Sequence, residues 1–268
     1  MTRGPNGGDP RFKAAVERNF DQSAHVYDLF EEKHGLFESL TLRQIELIAP
    51  LRPTRILDVG CGTGISTLAL HKALAAASPH IYAIDISQAM LQKAKERCRA
   101  IPGIYFFHGD AENLEAFFHE TFDAIFYAAS IFLIPKFRDS IRQAGNLLVS
   151  RGVLSLSYYT GLFDAEGNDA VARAFPDLRY QYGAFPVQEL ASCMESMPEF
   201  RTTWVDFRFE ASKEFLFDFL SIPAQSAGIL PKVAYLDRIP RIREICSELE
   251  DRVGPIFMGW NVIIARKR

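Results

Sequence analysis

An acidic residue followed by three alternating glycines is the part of this sequence best suited to ligand chemistry. A short apolar stretch leads into Asp58, and glycines follow at every second position, at Gly60, Gly62 and Gly64. Apolar residues then recur at helical spacing. Glycines at such a turn let the backbone approach a ligand closely, and the first turn of the helix carries N–H groups that can face it. The stretch therefore predicts a strand–turn–helix ligand site.

The glycine spacing and the acid distinguish two classes of ligand. A dinucleotide site rests a pyrophosphate on the positive end of the helix, with glycines spaced G-x-G-x-x-G. This chain reads G-x-G-x-G, and the carboxylate of Asp58 would repel a pyrophosphate from the strand end. A ligand with a cationic end would be attracted instead, and S-adenosylmethionine carries both an ammonium and a sulfonium. The turn predicts a methyl-donor site, with a nicotinamide-dependent oxidoreductase as the disfavoured alternative.

Two further acids end the next two predicted strands. Asp85 lies 21 residues beyond Gly64, the separation at which an acid in a βαβ unit accepts hydrogen bonds from ribose hydroxyls. Asp110 and Ala111 follow the third strand, where a carboxylate can accept a hydrogen bond from the exocyclic amine of an adenine. Met90 is a flexible apolar residue suited to packing on that ring. Each acid alone is compatible with a plain helix cap, but three in order fit an ammonium, a ribose and an adenine.

The elements that must position these acids alternate between strand and helix patterns. This alternation predicts an α/β fold, a Rossmann-like doubly wound and mostly parallel sheet whose strand-end loops share one edge. Two later strands lack a standard crossover and predict an antiparallel C-terminal edge. Strands are predicted at 54–59, 81–84, 104–107, 122–128, 153–159, 200–209 and 256–265, and the helices after the first strand include 63–77, 187–197, 214–220 and 240–252.

The remaining segments are expected to cover the edge where the ligand binds. Two helical patterns precede the first strand, so residues 1–50 are predicted to be an N-terminal helical segment covering the donor site. Residues 51–268 are the main domain. Between the two late strands, residues 212–253 are rich in apolar side chains and are predicted to be a helical cap insertion.

Length, composition and charge limit the class of protein. At 268 residues and 48% hydrophobic, the chain can bury one substantial core. Its net charge of −3 gives no basic footprint for nucleic acid, and its longest apolar run, about 124–135, is too short to span a bilayer. Four separated cysteines and the absence of a signal-peptide pattern suggest a reducing, cytoplasmic location. The histidines lack metal-ligand spacing, so no metal is predicted.

Residues 55–159 resemble the class I S-adenosylmethionine-dependent methyltransferases. The resemblance lies in the glycine turn and the acids that end the first three strands. It implies that Ile86 packs beside the ribose and that Ala128, at the end of the fourth strand, lies beside the transferring methyl. The cofactor-binding residues predicted in this way are Tyr27, Asp58, Gly60, Gly62, Gly64, Asp85, Ile86, Met90, Asp110, Ala111 and Ala128.

The N-terminal segment carries a second, less specific resemblance. Residues 19–28 read N-F-D-Q-S-A-H-V-Y-D and are similar to the leader of small-molecule members of this family. Those members include quinone-biosynthesis C-methyltransferases and malonyl-thioester O-methyltransferases. The resemblance implies that Tyr27 lies near the donor.

The resemblance implies transfer of a methyl group from S-adenosylmethionine to a small organic acceptor, with release of S-adenosylhomocysteine. No N-P-P-Y or D-P-P-Y follows the fourth strand, which argues against amino-group methylation of adenine or glutamine. Acceptor oxygen or carbon is favoured. A donor-binding regulator or inactive partner subunit would keep the same motifs and stays an alternative. The expected partner is a small molecule rather than nucleic acid or a membrane, and the oligomeric state is open.

Candidates on the acceptor side are fewer. His25 is a candidate base for a hydroxyl, phenol or acidic carbon, with a ligand contact or a place on the helix surface as alternatives. Tyr158 and Tyr159 end the fifth strand and are candidate substrate contacts; their side chains must alternate, and either is equally compatible with the core. The aromatic residues of the cap either form an apolar pocket or, as favoured, seal the cap against the sheet; these are Phe215, Phe217, Phe219 and Tyr235.

Overall fold

The computed structural model describes residues 10–176, 178, 186–230 and 232–268. Seven strands form one sheet, and helices flank it. The strands are β1 Arg55–Val59, β2 His80–Asp85, β3 Ile104–His108, β4 Phe122–Tyr127, β5 Leu148–Phe163, β6 Phe200–Glu210 and β7 Phe257–Lys267. The helices are α1 Pro10–His34, α2 Leu36–Ile48, α3 Ile65–Ala73, α4 Gln88–Arg97, α5 Leu114–Phe117, α6 Phe137–Leu147, α7 Ala170–Ala174, α8 Val187–Glu195, α9 Lys213–Ser221, α10 Pro223–Ile229 and α11 Tyr235–Val253.

The sheet confirms the predicted fold class. Its strand order is β3-β2-β1-β4-β5-β7-β6, with parallel pairing from β3 to β5. The last two strands pair antiparallel, β7 between β5 and β6. The order reverses at β1, and β4 lies on its other side. In a doubly wound sheet this switch point opens a crevice at the carboxyl ends of the strands.

Both faces of the sheet are covered, which explains why the central strands read as continuous apolar runs. Ile56 and Leu57, neighbours in β1, point to opposite faces and enter different apolar clusters. One face packs against α5, α6 and α8. On the other face, a large cluster joins α1, α2 and the helices between β6 and β7 to the ends of β5 and β7. No helix in the described part of the chain has the length and apolar character that a membrane crossing requires.

Three elements differ from the sequence-based predictions. The helix predicted to begin at Pro240 begins at Tyr235, and Pro240 lies inside it. That prediction was wrong because it assigned the proline to the first helical position. Residues 223–229, which lie between the predicted helices 214–220 and 240–252, form α10 with Pro223 in its first turn. Strand β5 extends four residues beyond the predicted end at Tyr159 because it continues to pair with β7 past an irregularity at Gly161.

The segment 212–253 contains α9, α10 and α11. Its aromatic residues pack against α1 and the sheet: the ring of Phe219 lies 5.7 Å from Phe30 and 5.9 Å from Tyr159. Phe215 lies 5.4 Å from Phe30 in an edge-on arrangement. These contacts match the sealing alternative for the cap aromatics.

Candidate functional site

A cavity opens at the carboxyl edge of strands β1 to β4. It encloses about 950 Å³ of space, including its open mouth, which is within the range of small-molecule sites. Its wall comes from α1, α2, the glycine turn and the loops after β2, β3 and β4. Nine of the eleven predicted cofactor residues line it: Tyr27, Gly60, Gly62, Asp85, Ile86, Met90, Asp110, Ala111 and Ala128.

The three glycines of the turn all have positive φ angles, and two of them meet close neighbours. At Gly60 an added Cβ would lie 2.5 Å from the Cβ of Ser130, and at Gly64 it would lie 3.0 Å from the backbone of Ala94 in α4. Gly62 has nothing within 4 Å of that position. Because Gly62 also lines the cavity, its missing side chain leaves room for a ligand against the backbone.

The N–H groups of this turn are used within the protein. Gly60 and Cys61 both donate to the carbonyl oxygen of Ile84, at 2.8 and 3.2 Å. The N–H of Gly62 donates to Oδ2 of Asp85 at 2.8 Å. A phosphate cradle needs such groups free to face the ligand. These three donors of the turn are therefore committed inside the protein rather than to a ligand.

Asp58 lies behind the cavity wall rather than on it. Its side chain is fully buried, and Oδ2 accepts hydrogen bonds from Ser66 Oγ and Thr67 Oγ1, each at 2.7 Å. Burial raises the pKa of Asp58 to about 6, although the two hydroxyls oppose this rise. Ser66 lines the cavity and Asp58 does not. The sequence predicted a direct contact between Asp58 and the cationic end of a ligand. In the structure the carboxylate of Asp58 instead contacts Ser66, and the side chain of Ser66 faces the cavity. Gly64, like Asp58, lies outside the wall.

Asp85 joins the ends of β1 and β2 and lines the cavity. Oδ2 accepts from Gly62, and Oδ1 accepts from the N–H of Ser87 at 2.8 Å. Burial raises the pKa of Asp85, against the effect of these backbone hydrogen bonds. Each carboxylate oxygen has a second lone pair, so ribose hydroxyls remain compatible with this carboxylate. The ribose contact stays a prediction.

Asp110 is paired with a lysine that sequence reasoning missed. Nζ of Lys13 lies 2.6 Å from Oδ2 of Asp110 and 2.5 Å from Oε2 of Glu112. The N–H of Glu112 donates to Oδ1 of Asp110 at 2.9 Å. Lys13 lines the cavity from α1. No local pattern in the sequence connects it to residues almost one hundred positions away.

Apolar side chains from two loops line the part of the wall formed after β2 and β4. Ile86 and Met90 come from the β2–α4 connection, and Leu133, Ile134 and Pro135 come from the loop after β4. Met90 is held at the start of α4, where its N–H donates to the N-cap hydroxyl. Such side chains suit the faces of an aromatic ring.

Helices α1 and α2 supply the remaining wall. Tyr27 lines the cavity and stacks on Phe37, with ring centroids 4.5 Å apart and planes 13° from parallel. Burial raises the pKa of Tyr27 well above its usual range, so its phenol is neutral at neutral pH. Phe20 and Thr41 lie on the same wall. The leader resemblance thus indicated a residue that does reach the cavity.

The candidates for the acceptor side do not reach it. His25 is exposed on α1 and does not line the cavity. Tyr158 and Tyr159 are 1% and 2% exposed and enter core clusters on opposite faces of the sheet. The cap helices pack over Tyr159, whereas Tyr158 is buried on the opposite face with the residues of α5, α6 and α8. None of these residues, nor any from 212–253, contributes to the cavity wall.

Comparison with known proteins identifies the domain. Residues 56–152 match the methyltransferase domain family. The chain is 31% identical over 155 residues to a malonyl-acyl-carrier-protein O-methyltransferase of Halalkalibacterium halodurans, covering 55% of each protein. It is 26% identical over 147 residues to a demethylmenaquinone methyltransferase of Staphylococcus aureus, covering 53% of this chain and 59% of the relative. The chain thus spans about half the length of these curated relatives.

Solved structures share the fold at low sequence identity. A Haemonchus contortus phosphoethanolamine N-methyltransferase, solved with phosphomonomethylethanolamine and S-adenosylhomocysteine, has a TM-score of 0.62 at 16% identity, covering 96% of this chain and 60% of its own. The 4+2 cyclase SpnF has a TM-score of 0.58 at 22% identity, covering 86% of this chain and 80% of its own. Likeness at this level describes the fold alone.

The sheet order, the glycine turn and these matches identify residues 56–152 as a methyltransferase domain of the class I S-adenosylmethionine-dependent type. S-adenosylmethionine is accordingly its cofactor. The cavity fits this group on its own features, because an open glycine, two cavity carboxylates and an apolar wall lie in one space. Within the described ranges, no cluster of three or more His, Cys, Asp or Glu side chains is arranged to hold a metal ion.

We expect Gly62→Ala to block donor binding at little cost in stability. The new methyl group would enter the cavity, whereas in the fold it meets nothing within 4 Å. Gly35→Ala is the matched control, because Gly35 also has positive φ and open space but lies outside the cavity. Both variants should lose about 1 kcal/mol of stability. Calorimetry with S-adenosylhomocysteine should show at least tenfold weaker binding for Gly62→Ala alone, and equal affinities would contradict the placement of the ligand.

The buried carboxylate predicts a specific dependence of stability on pH. The folded pKa of Asp58, about 6, is above its ordinary value of 3.8. The folded state binds a proton at Asp58 more tightly than the unfolded state does, so the free energy of unfolding falls by about 3 kcal/mol as pH rises from about 4 to 6. Asp58→Asn removes this term. The free energy of unfolding of the variant minus that of the wild type, from urea titrations, should increase over this interval, and a constant difference would sink the prediction.

Proposed function

We propose that this chain is an enzyme that transfers a methyl group from S-adenosylmethionine to a small organic acceptor, with oxygen or carbon favoured, and releases S-adenosylhomocysteine. The observation that carries the proposal is the shared cavity of the glycine turn, Asp85 and Asp110. Their order along the strand ends suits the methionine part, the ribose and the adenine of one donor molecule.

The residues of the chain act chiefly by binding and orientation. When bound, the donor supplies a methyl group already activated on a sulfonium, so holding a nucleophile in line with it can provide much of the acceleration. Asp85 and Asp110 fix the nucleoside end, and the stacked pair Tyr27 and Phe37 excludes water from the opposite wall. No histidine lines the cavity in the described part of the chain. We infer that the acceptor brings its own reactive nucleophile or loses its proton to water.

The relatives support oxygen or carbon as the acceptor atom. One is named for O-methylation of a malonyl group on a carrier protein, and the other is named for methylation of demethylmenaquinone. The identity of the acceptor for this chain is not deduced from them, because they match over only about half their length. We propose a small-molecule or carrier-bound acceptor without assigning it further.

A donor-binding regulator or inactive partner subunit stays the alternative proposal. The predicted base and both predicted acceptor contacts, His25, Tyr158 and Tyr159, lie outside the cavity. A protein that binds the donor as a regulator or inactive partner subunit would show the same arrangement. The enzyme remains the better-supported proposal because methyl transfer from a sulfonium needs positioning more than it needs a base.

An acceptor screen tests the enzyme proposal. The purified chain is incubated with S-adenosylmethionine and a panel of carboxylic acids, acyl thioesters, phenols and hydroquinones, and S-adenosylhomocysteine release is measured. We expect acceptor-dependent release with at least one class and at least tenfold less with Gly62→Ala. Binding of S-adenosylhomocysteine without turnover of any acceptor would favour the regulator, and absence of binding would overturn both proposals.

We further propose that the N-terminal segment predicted over 1–50 covers the donor site, next to the main domain 51–268; residues 1–9 lie outside the described residues, and the contacts that support the proposal come from residues 10–50. Polar contacts fasten α1 to the elements that carry the donor residues. The hydroxyl of Ser87 donates to Oδ1 of Asp21 at 2.5 Å, and Arg97 lies 2.6 Å from Asp28. Together with the contacts of Lys13, they connect α1 to the ends of β2 and β3 and to both ends of α4. We propose a supporting role for the cap 212–253, which packs on α1 from outside.

Hydrogen exchange tests this cover. S-adenosylhomocysteine should slow amide exchange in residues 10–34, because α1 then closes on an occupied cavity. Asp28→Asn removes one fastening while Arg97 keeps its bond to the carbonyl of Thr63 at 2.9 Å, and we expect several-fold faster exchange in α1 and weaker binding. Lys33→Met is the control, because within the described residues the ammonium of Lys33 pairs with Glu214 and Asp218 of the cap and not with the main domain around the cavity. Exchange in α1 that ignores the ligand would contradict the proposal.

A cytoplasmic location is part of the proposal. Cys61, Cys98, Cys193 and Cys246 are all free thiols, which is the usual state in a reducing compartment.

A further inference from the structure

Two serine hydroxyls beside the glycine turn, on the cavity wall, have their protons directed into the protein. Ser66 Oγ donates to Oδ2 of Asp58 at 2.7 Å, and Ser130 Oγ donates to the carbonyl oxygen of Val59 at 2.5 Å. Both serines line the cavity beside the glycine turn. A hydroxyl has one proton and two lone pairs. Each serine therefore presents only acceptor capacity to a ligand.

A buried negative charge lies directly behind one of these hydroxyls. Asp58 is fully buried, and its Oδ1 has no hydrogen-bond partner in the part of the chain that the structure describes. In a region of low dielectric, a carboxylate at this distance adds negative potential at Ser66 Oγ. The same carboxylate also accepts from Thr67, which does not line the cavity. Of these two hydroxyls, Ser66 is the one that lies on the cavity wall, where the negative potential of Asp58 can act on a ligand.

A third hydroxyl has the opposite property. Thr63 lines the cavity, and its buried Oγ1 has no hydrogen-bond partner within the described residues. Its proton is therefore not committed inside the protein. The wall around the turn thus carries two hydroxyls that can only accept, at Ser66 and Ser130, and one hydroxyl that can donate, at Thr63.

We propose that Ser66 binds the ammonium group of the donor's amino-acid part, and that Asp58 is a positioning residue that keeps the Ser66 hydroxyl proton turned away. An ammonium has three donors and no acceptor, so hydroxyls that can only accept are its complement. Ser130 offers a second acceptor, and Thr63 is suited to donate to the carboxylate of the same amino-acid part. The inference rests on the proposed function, since it takes S-adenosylmethionine to be the molecule in the cavity.

Two ligands separate this role from general support of the site. S-adenosylhomocysteine carries the amino-acid part, whereas 5′-methylthioadenosine has the same nucleoside and thioether without it. Affinities for both are measured by calorimetry on the wild type, Ser66→Ala and Thr67→Ala. The last two variants lose the same kind of bond to Asp58, but only Ser66 faces the ligand. Ser66→Cys, which preserves the side-chain shape with a weak acceptor, is the second variant should Ser66→Ala fail to fold.

We expect Ser66→Ala to weaken S-adenosylhomocysteine at least about tenfold, as for loss of a hydrogen bond to a charged group, and to leave methylthioadenosine within about twofold. Thr67→Ala should change the ratio of the two affinities less than about threefold. Asp58→Asn should also reduce the preference for S-adenosylhomocysteine, because the charge is removed.

Other outcomes are distinguishable. Equal losses in the preference for S-adenosylhomocysteine from Ser66→Ala and Thr67→Ala, or loss of both ligands from Ser66→Ala, would overturn the assignment of the ammonium to Ser66 and leave the proposed function standing. A wild-type chain that binds neither ligand would overturn the proposed function and this inference together.

Discussion

The site depends on two buried carboxylates that hold the glycine turn from beneath. Asp58 binds the first-turn hydroxyls of α3, and Asp85 binds the backbone of Gly62 across the strand ends. The turn requires positive φ at three glycines, and Gly60 must in addition accommodate Ser130 at a separation that a methyl group would not allow. These constraints fix the backbone that faces the ligand. The rest of the fold supplies the rigidity that holds them together.

Burying these acids has a cost that the core must offset. The pKa of Asp58, raised to about 6, corresponds to about 3 kcal/mol of destabilisation at neutral pH. A whole domain of this kind is stable by only about 5–15 kcal/mol. The sheet offsets such costs because its central strands are buried on both faces. An expensive acid at a strand end is thus tolerated where the strand below it is fully apolar, as β1 is after Arg55.

The sequence predicted the parts of the fold whose signals are local. Continuous apolar strands followed by acids marked β1, β2 and the donor cavity, and the leader motif indicated Tyr27. Distant pairings were not predictable in this way. Lys13 reaches Asp110 only after α1 crosses the sheet edge, and no spacing rule joins them. The depth at which Asp58 lies was not predictable either, because a carboxylate at a strand end can point to either side of the turn. For Tyr159 the sequence left a substrate contact and a core position open, and the structure shows the core position because β5 continues beyond it under the cap.

The fastening of α1 also bears on how the chain folds during synthesis. The first helix leaves the ribosome before any of its partners, since Asp85 to Glu112 follow much later and Asp218 later still. Its apolar face, including Phe30, is meanwhile without the cap residues that eventually cover it. A domain generally folds as a unit. The helix α1 therefore cannot complete its packing until the last third of the polypeptide has been synthesised.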